Sequence, residues 1–234
     1  MISDFHSHIL PGIDDGSASP EESIAMLKMA AEQGITRVVA TPHFYPQHDS
    51  PERFLSKRAA ALQRLREGMQ RHEGLPEVAV GAEVHFYRGI SDSDALPGLK
   101  IENTCCILIE MPMVEWSESM YRELAAIPEK HGIIPIVAHV DRYISHWNDR
   151  GIFEKLARLP VYVQVNADAF MRFAMRHRML RLLKDDKIHF VGSDCHNLQD
   201  RAPNMARAVR VIEKYAGSRC LERIREHEDY LFSK

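Results

Sequence analysis

Short apolar runs rich in β-branched residues recur along the chain at residues 2–6, 37–41, 78–82, 105–109, 133–138, 161–165 and 188–192. Most are separated by stretches of helical periodicity, a pattern that predicts parallel strands joined by crossover helices. The first helix is well marked. Ser19 is the expected N-cap, Pro20 takes the first helical position and Ser19-x-x-Glu22 forms a capping box. Ile24, Leu27 and Ala31 then share a face, and Gly34 is the stop. A second helix is predicted after Ser50-Pro51, with Phe54, Leu55, Arg58, Leu62, Leu65 and Met69 at helical spacing. Pro203 opens a further helix with Ala206, Val209 and Ile212 facing inward and Gly217 ending it; residues 218–234 read as an amphipathic closing helix. Seven strands could form an open doubly wound sheet or a barrel. The positions of the polar residues separate the two.

The 234 residues suit a single barrel domain spanning 1–234, with no internal repeat or linker. Net charge is −3 with both signs mixed throughout, which argues against a duplex-binding surface and a nucleic-acid partner. No apolar run approaches the roughly 18 residues of a membrane span, so membrane insertion is not expected. Met1-Ile2-Ser3-Asp4 does not start a basic and then apolar leader, and a cytoplasmic protein is expected. The four cysteines, Cys105, Cys106, Cys195 and Cys220, lack paired C-x-x-C spacing, which speaks against a disulfide framework or a structural zinc site.

Almost every apolar run ends in a residue able to bind a metal. His6 and His8 end the first and His43 follows the second; Glu83, Glu110 and His139 end the next three. Asp194 and His196 follow the last, and Asp14 lies in the loop after the first. In an extended strand, residues two apart face the same side, so His6 aims with His8 and Asp194 with His196. A parallel barrel gathers all strand C-terminal ends at one mouth, where the nine side chains would converge. A four-coordinate catalytic zinc takes three protein ligands, so nine supply two or three ions. Imidazole and carboxylate without thiolate suit Mn²⁺, Fe²⁺ or Zn²⁺.

A lone histidine at a strand end is usually incidental; the repetition carries the inference. His48, His72, His131, His177 and His227 keep the incidental reading, while His85 and His146 lie near the expected mouth and stay open. Cys195 and Arg201 also match the C-x₅-R spacing of cysteine phosphatases. The five intervening residues contain no glycine to let backbone N–H groups cradle phosphate, and chance explains the match.

These segments resemble the PHP (polymerase and histidinol phosphatase) superfamily and, more narrowly, the CpsB/CapC/YwqE-type bacterial protein-tyrosine phosphatases. The likeness rests on Phe5-His-Ser-His-Ile-Leu-Pro-Gly-Ile-Asp-Asp-Gly16, Ala40-Thr-Pro-His43, Gly81-Ala-Glu83, Ile109-Glu-Met-Pro112, Ala138-His-Val-Asp-Arg-Tyr143 and Gly192-Ser-Asp-Cys-His-Asn197. It implies a distorted (β/α)₇ TIM-like barrel of PHP type with three divalent ions, manganese being the usual metal. It also implies three ligand sets: His6, His8, Glu83 and Asp194; Glu83, Glu110 and His139; Asp14, His43 and His196. Arg142 and Arg201 match arginines that bind the substrate phosphate. His43, His196 and Asp14 are the candidates for protonating the leaving group, and spacing does not choose among them. The chain departs from the family at Val140-Asp141, at Cys195 and at Asp168-Ala169, the last pair expected to alter the substrate side of the pocket.

The implied activity is hydrolysis of phosphotyrosine, with the tail of a bacterial tyrosine kinase controlling exopolysaccharide export as the expected partner. Three other readings stay open: a phosphatase of small monoesters such as histidinol phosphate, a TatD-like nuclease, and a metal-binding regulatory module without catalysis. The His-Ile-Leu-Pro-Gly-Ile-Asp-Asp stretch from His8 to Asp15 opposes the first, Asp14 and Glu110 the second, and the complete ligand sets the third.

Overall fold

The structure, a computed structural model, describes residues 3–147 and 151–233. His146, left open above, lies outside the residues whose side chains are described, as does Ile2 at the start of the first expected strand. The order is β1 (Asp4–Ser7), α1 (Pro20–Glu32), β2 (Arg37–Ala40), β3 (His43–Phe44), α2 (Pro51–Met69), β4 (Glu77–Val80), β5 (Glu83–His85), α3 (Leu96–Leu99), β6 (Cys106–Glu110), α4 (Glu118–His131) and β7 (Ile134–Val137). It continues with α5 (Val140–Trp147), α6 (Ile152–Leu156), β8 (Tyr162–Asn166), α7 (Ala167–Met171), α8 (Phe173–Lys184), β9 (Phe190–Gly192), α9 (Met205–Ala216) and α10 (Ser218–Phe232). No helix among the described residues is long and apolar enough to cross a membrane.

All strand pairs are parallel, in two runs ordered β1-β2-β4 and β3-β5-β6-β7-β8-β9. The sheet curls until its ends meet. Ser7 bridges Cys195 in parallel, His8 N donates to Cys195 O at 2.9 Å and Asp194 N donates to His6 O at 2.8 Å. On the other side, Thr41-Pro42 separates β2 from β3 and Gly81-Ala82 separates β4 from β5. Pairing nevertheless continues across both breaks, through Gly81 N to Ala40 O at 2.8 Å and Glu83 N to Pro42 O at 3.0 Å. β3 and β5 are the two strands the apolar pattern did not announce. At two and three residues they are too short to show alternation, and their side chains serve the site.

Strands covered on both faces lose a clean polar alternation, which is why they read as continuous apolar runs. In β6, Cys106 and Leu108 join an inner cluster with Phe5, Val39, Ile136 and Phe190, while Ile107 and Ile109 pack in the larger cluster shared with the helices. Phe5 and Phe190 stack at 4.1 Å across the seam between β1 and β9. Gly192 makes that seam possible, because a Cβ there would lie 2.5 Å from the His6 Cβ and 2.7 Å from its N. Asp4 fastens it, accepting from Ser193 N at 2.7 Å and Ser193 Oγ at 2.5 Å.

The helices begin and end close to where the sequence sets them. Ser19 Oγ accepts from Glu22 N at 3.2 Å, but the Glu22 carboxylate reaches Ala18 N at 2.8 Å, one residue earlier than a capping box requires. Ala30, not Ala31, completes the buried face of α1. In α9, Met205, Ala208 and Ile212 are buried and Ala206 is only partly covered, so the buried stripe is rotated from the expected one.

α10 closes the chain onto its beginning. Glu228 is 3% exposed and accepts from Ser3 N at 3.0 and 2.9 Å and from Ser3 Oγ at 3.1 Å. Burial outweighs these bonds and pushes its carboxyl up to about 8. A raised acid binds a proton in the folded state that the unfolded chain has released, so its contribution is complete below about 4.5 and is lost as pH rises to about 8. Glu228→Gln should therefore gain stability over wild type by a few kcal/mol, roughly, between about pH 5 and about pH 9 in urea unfolding. Parallel stability curves for the two proteins would contradict this reading.

Candidate metal centre

Most of the ligand-type side chains stand at or shortly past the end of β1, β2, β4, β6, β7 or β9, and the backbone is bent to aim several of them. The loop after β1 folds back on its own histidine: Ser17 N donates to His8 O at 2.9 Å and Gly12 N to Ser17 O at 2.7 Å. Gly16 permits this, since a Cβ there would sit 2.2 Å from His8 O. His139 and Asp194, just past β7 and β9, hold φ of +34° and +54°. Left-handed backbone costs non-glycine residues about 1–3 kcal/mol and persists where surrounding structure enforces it. Here the enforcement is visible: Gln164 Oε1 accepts from His139 N at 2.6 Å, and Asn166 Nδ2 donates to Asp194 Oδ2 at 2.9 Å.

The side chains meet around Glu83. Its Oε2 lies 3.2 Å from His6 Nε2, 3.3 Å from His8 Nε2 and 3.0 Å from His43 Nδ1. Its Oε1 is 2.8 Å from His139 Nε2, which is also 3.5 Å from Glu110 Oε1. Asp194 Oδ1 stands 3.6 Å from His6 Nε2 and 3.5 Å from His8 Nε2. Three sets of ligand atoms each lie within 4.8 Å of one another: His6, His8 and Asp194; His43, Glu83 and Glu110; His8, Asp15, His43 and His196.

These sets differ from the sequence expectation: Glu83 is not in the first, His43 stands where His139 was expected in the second, and the third has Asp15 in place of Asp14 and includes His8. Asp14 does not face the third set. Asp14 Oδ2 accepts from His8 Nδ1 at 2.7 Å and from His43 N at 3.0 Å, and Oδ1 accepts from Gly16 N at 3.0 Å. The carboxylate facing the imidazoles is Asp15, with Oδ1 3.6 Å from His43 Nε2 and 3.4 Å from His196 Nε2. Two adjacent aspartates are equivalent by composition. The turn that Gly16 allows decides which one points into the site.

Charge is concentrated here to an extent that burial alone would forbid. Burial favours neutral Glu83, yet the charge of His6, the hydrogen bond from His139 and the close imidazole of His43 hold its carboxyl well below the usual range. Burial likewise opposes a charge on His8 and His139, but Asp14 and Glu83 carry His8 up to about 10, and Glu110 and Glu83 carry His139 up to about 9. His196 goes the other way, down to about 4, through burial, His8 and Arg201. The carboxylates thus call for compensating positive charge, which falls on His8 and His139. Divalent cations supply such charge and release the protons. A fit to metal is also visible in three of the buried atoms without a well-directed hydrogen bond among the described residues, His43 Nδ1, Glu83 Oε2 and His196 Nε2, all turned into this centre.

Arg142 and Arg201 both reach this centre. An Arg142 N–H donates to Asp194 Oδ2, and Arg201 donates to Asp194 Oδ1 at 2.8 Å. They are 37% and 39% exposed, enough to meet a ligand arriving at the mouth. His85, open on sequence grounds, binds Glu110 Oε2 through Nδ1 at 3.1 Å and so orients that carboxylate. Sequence reasoning assigned no part to Gln164 and Asn166. Gln164 also approaches His6 Nδ1 at 3.3 Å and binds Asn166 through its Nε2 at 3.1 Å. The available signal was two amides at alternate positions near the end of an otherwise apolar strand. Cys195 is 2% exposed within the hydrophobic core, and burial and the Asp4 charge push its thiol far up. A buried thiol of this kind is no nucleophile, so the C-x₅-R spacing is coincidental.

Comparison with known proteins agrees with this architecture. Residues 2–229 match the family model described as capsular polysaccharide synthesis, CpsB/CapC. The tyrosine-protein phosphatase CpsB of Streptococcus agalactiae serotype III (strain NEM316) is 30% identical over 224 residues, covering 89% of this chain and 88% of its own. The tyrosine-protein phosphatase YwqE of Bacillus subtilis (strain 168) is 28% identical over 239 residues, covering 97% and 90%. A crystal structure from the pair YwqE of Bacillus subtilis and CpsB of Streptococcus pneumoniae, described as unique metal-dependent tyrosine phosphatases, superposes with a TM-score of 0.86. It is 26% identical and covers 100% of this chain and 94% of its own. The phosphotriesterase homology protein of Escherichia coli, 12% identical with a TM-score of 0.57, shares the fold over 99% of this chain and 98% of its own. With its ligand-bearing strand ends, its curled parallel sheet and this match over nearly its whole length, the chain belongs to the CpsB/CapC family of capsular polysaccharide synthesis proteins.

Proposed function

We propose that this protein is a metal-dependent protein-tyrosine phosphatase that removes phosphate from a tyrosine kinase tail in the cytoplasm. The observation that carries the proposal is the convergence of five histidines and four carboxylates beside two arginines at one mouth. The relatives named as tyrosine-protein phosphatases support it. We further read the curled sheet as a distorted (β/α)₇ barrel, in which β2 runs on into β3 and β4 into β5, reducing nine strands to seven paths.

Three divalent ions, manganese foremost with iron or zinc as alternatives, suit the donor set. His6, His8, Glu83 and Asp194 would hold the first, and Glu83, Glu110 and His139 the second. Asp15, His43 and His196 would hold the third, with Asp14 fixing the ring of His8 through Nδ1. Bound ions would supply Lewis acidity, acidifying water and offsetting charge on the phosphoryl oxygens. The chain's own groups do the rest. Arg142 and Arg201 offer planar forks that bind phosphoryl oxygens and stabilise charge developing on them in the transition state. Gln164, Asn166 and His85 hold the rings and carboxylates in place, so little reorganisation accompanies reaction. Asp14, with both oxygens engaged, is a poor proton donor, and His43 and His196, the other two candidates, are taken up as ligands of the third ion.

The protein should release phosphate from a phosphotyrosine peptide, lose the activity on chelation and regain it with manganese, and act poorly on histidinol phosphate. Full activity in chelator, or preference for histidinol phosphate, would overturn the assignment. The two aspartates should separate in a metal assay. Asp15→Asn should lose about one bound ion per chain, whereas Asp14→Asn should keep its ions and lose roughly 10–100-fold in kcat, the usual cost of removing a group that orients a ligand. The reverse pattern of ion loss would return Asp14 to the ligand set.

A further inference from the structure

We infer that a basic and aromatic groove between α8 and α9 docks an acidic stretch of the substrate protein, next to the phosphotyrosine that enters the site. The inference rests on the phosphatase reading above and adds a partner surface to it.

The groove encloses about 630 Å³. Its apolar surface is formed by Leu180, by Tyr215, 48% exposed, and by Phe173, a residue 91% exposed at the start of α8. An aromatic side chain left this open beside an indentation is a common mark of an interaction site. Cations surround it. α8 carries Arg176, Arg178, Arg181 and Lys184 and not one carboxylate, in a chain whose net charge is −3. Arg176 is occupied locally, donating to Phe170 O at 3.0 Å and Met171 O at 3.1 Å. Arg181 and Lys184 are exposed, and among the described residues neither has a carboxylate within ion-pair distance. The groove therefore offers two uncommitted cations in line with an apolar floor, complementary to a segment mixing acidic and apolar side chains.

Position connects it to the site. Asn166, the N-cap of α7, binds Asp194 in the metal centre. Phe173 stands seven residues further on, and five of those between are helical, so the groove starts within roughly 25 Å of the centre. From there α8 extends it by a further ~17 Å. A chain whose phosphotyrosine occupied the mouth would reach the groove with residues about four to eight positions away and fill it with about five more. A membrane surface fits less well. The cations and aromatics line an indentation between two helices and not a flat or convex basic face, which suits an extended segment better than a bilayer.

The test uses the manganese-loaded protein and two labelled 16-residue tyrosine peptides, one with a Glu/Asp cluster about ten residues from the tyrosine, where the spacing above sets Arg181 and Lys184, and one with Gln/Asn in its place, each with and without phosphate. The acidic peptide should bind about tenfold tighter by fluorescence anisotropy even without phosphate, and its phospho form should show a KM lower by a similar factor, both differences shrinking at high salt. The R181E/K184E protein should lose this preference while its kcat/KM on p-nitrophenyl phosphate stays at the wild-type value. F173S should weaken binding of both peptides. Equal binding of the two peptides, or a preference that survives charge reversal, would overturn the inference. So would the absence of that preference together with sedimentation of wild type, but not R181E/K184E, on phosphatidylglycerol vesicles. Failure of the wild type on p-nitrophenyl phosphate would instead count against the phosphatase reading, and the unphosphorylated peptides would still decide the fate of the groove.

Discussion

One buried carboxylate organises this molecule. Glu83 is 1% exposed and has four imidazoles within hydrogen-bonding range, from His6 in β1, His8 just past it, His43 at the start of β3 and His139 just past β7. An ionised carboxylate removed from water is costly unless positive charge comes with it. The curled sheet brings that charge from strands far apart in sequence, and Glu83 stays ionised against its burial. Closure of the sheet and assembly of the site are therefore the same event. The Ser7–Cys195 bridge that joins its ends also sets Asp194 beside His6.

Precision at such a centre comes from residues that touch no substrate. Gly16 and Gly192 allow approaches no side chain would permit, one beneath His8 and the other against His6. His139 and Asp194 hold unfavourable backbone angles under restraint from Gln164 and Asn166. These two amides link the rings and carboxylates of β1, β7 and β9 into one hydrogen-bonded unit. Loss of either would loosen several ligands together, and so the site's geometry depends on β8 although β8 supplies none of the ligand atoms.

Much of this was legible before the structure. Apolar runs ending in His, Glu or Asp marked both the strands and the residues that meet at their ends, because a parallel curled sheet leaves its strand C-termini together. His6, His8, Glu83, Glu110, His139 and Asp194 all converge as the spacing implied. What could not be read depended on local geometry. Asp14 and Asp15 are chemically alike, and a turn stabilised by Gly16 N turns one toward His8 and the other toward His43 and His196. β3 and β5 are too short for a periodicity, and α1 and α9 each carry a buried stripe slightly rotated from the expected one. The groove on α8 was invisible because its Phe173 resembles any core aromatic until burial is known.

If Glu83 is the shared ligand of a cluster of ions, crystals grown with manganese and measured at its absorption edge will show it directly. More than one anomalous peak should lie in the mouth, with Glu83 touching two of them and with His6 and His8 both on one. A single peak that Glu83 does not touch, or scattering confined to surface carboxylates, would contradict the account.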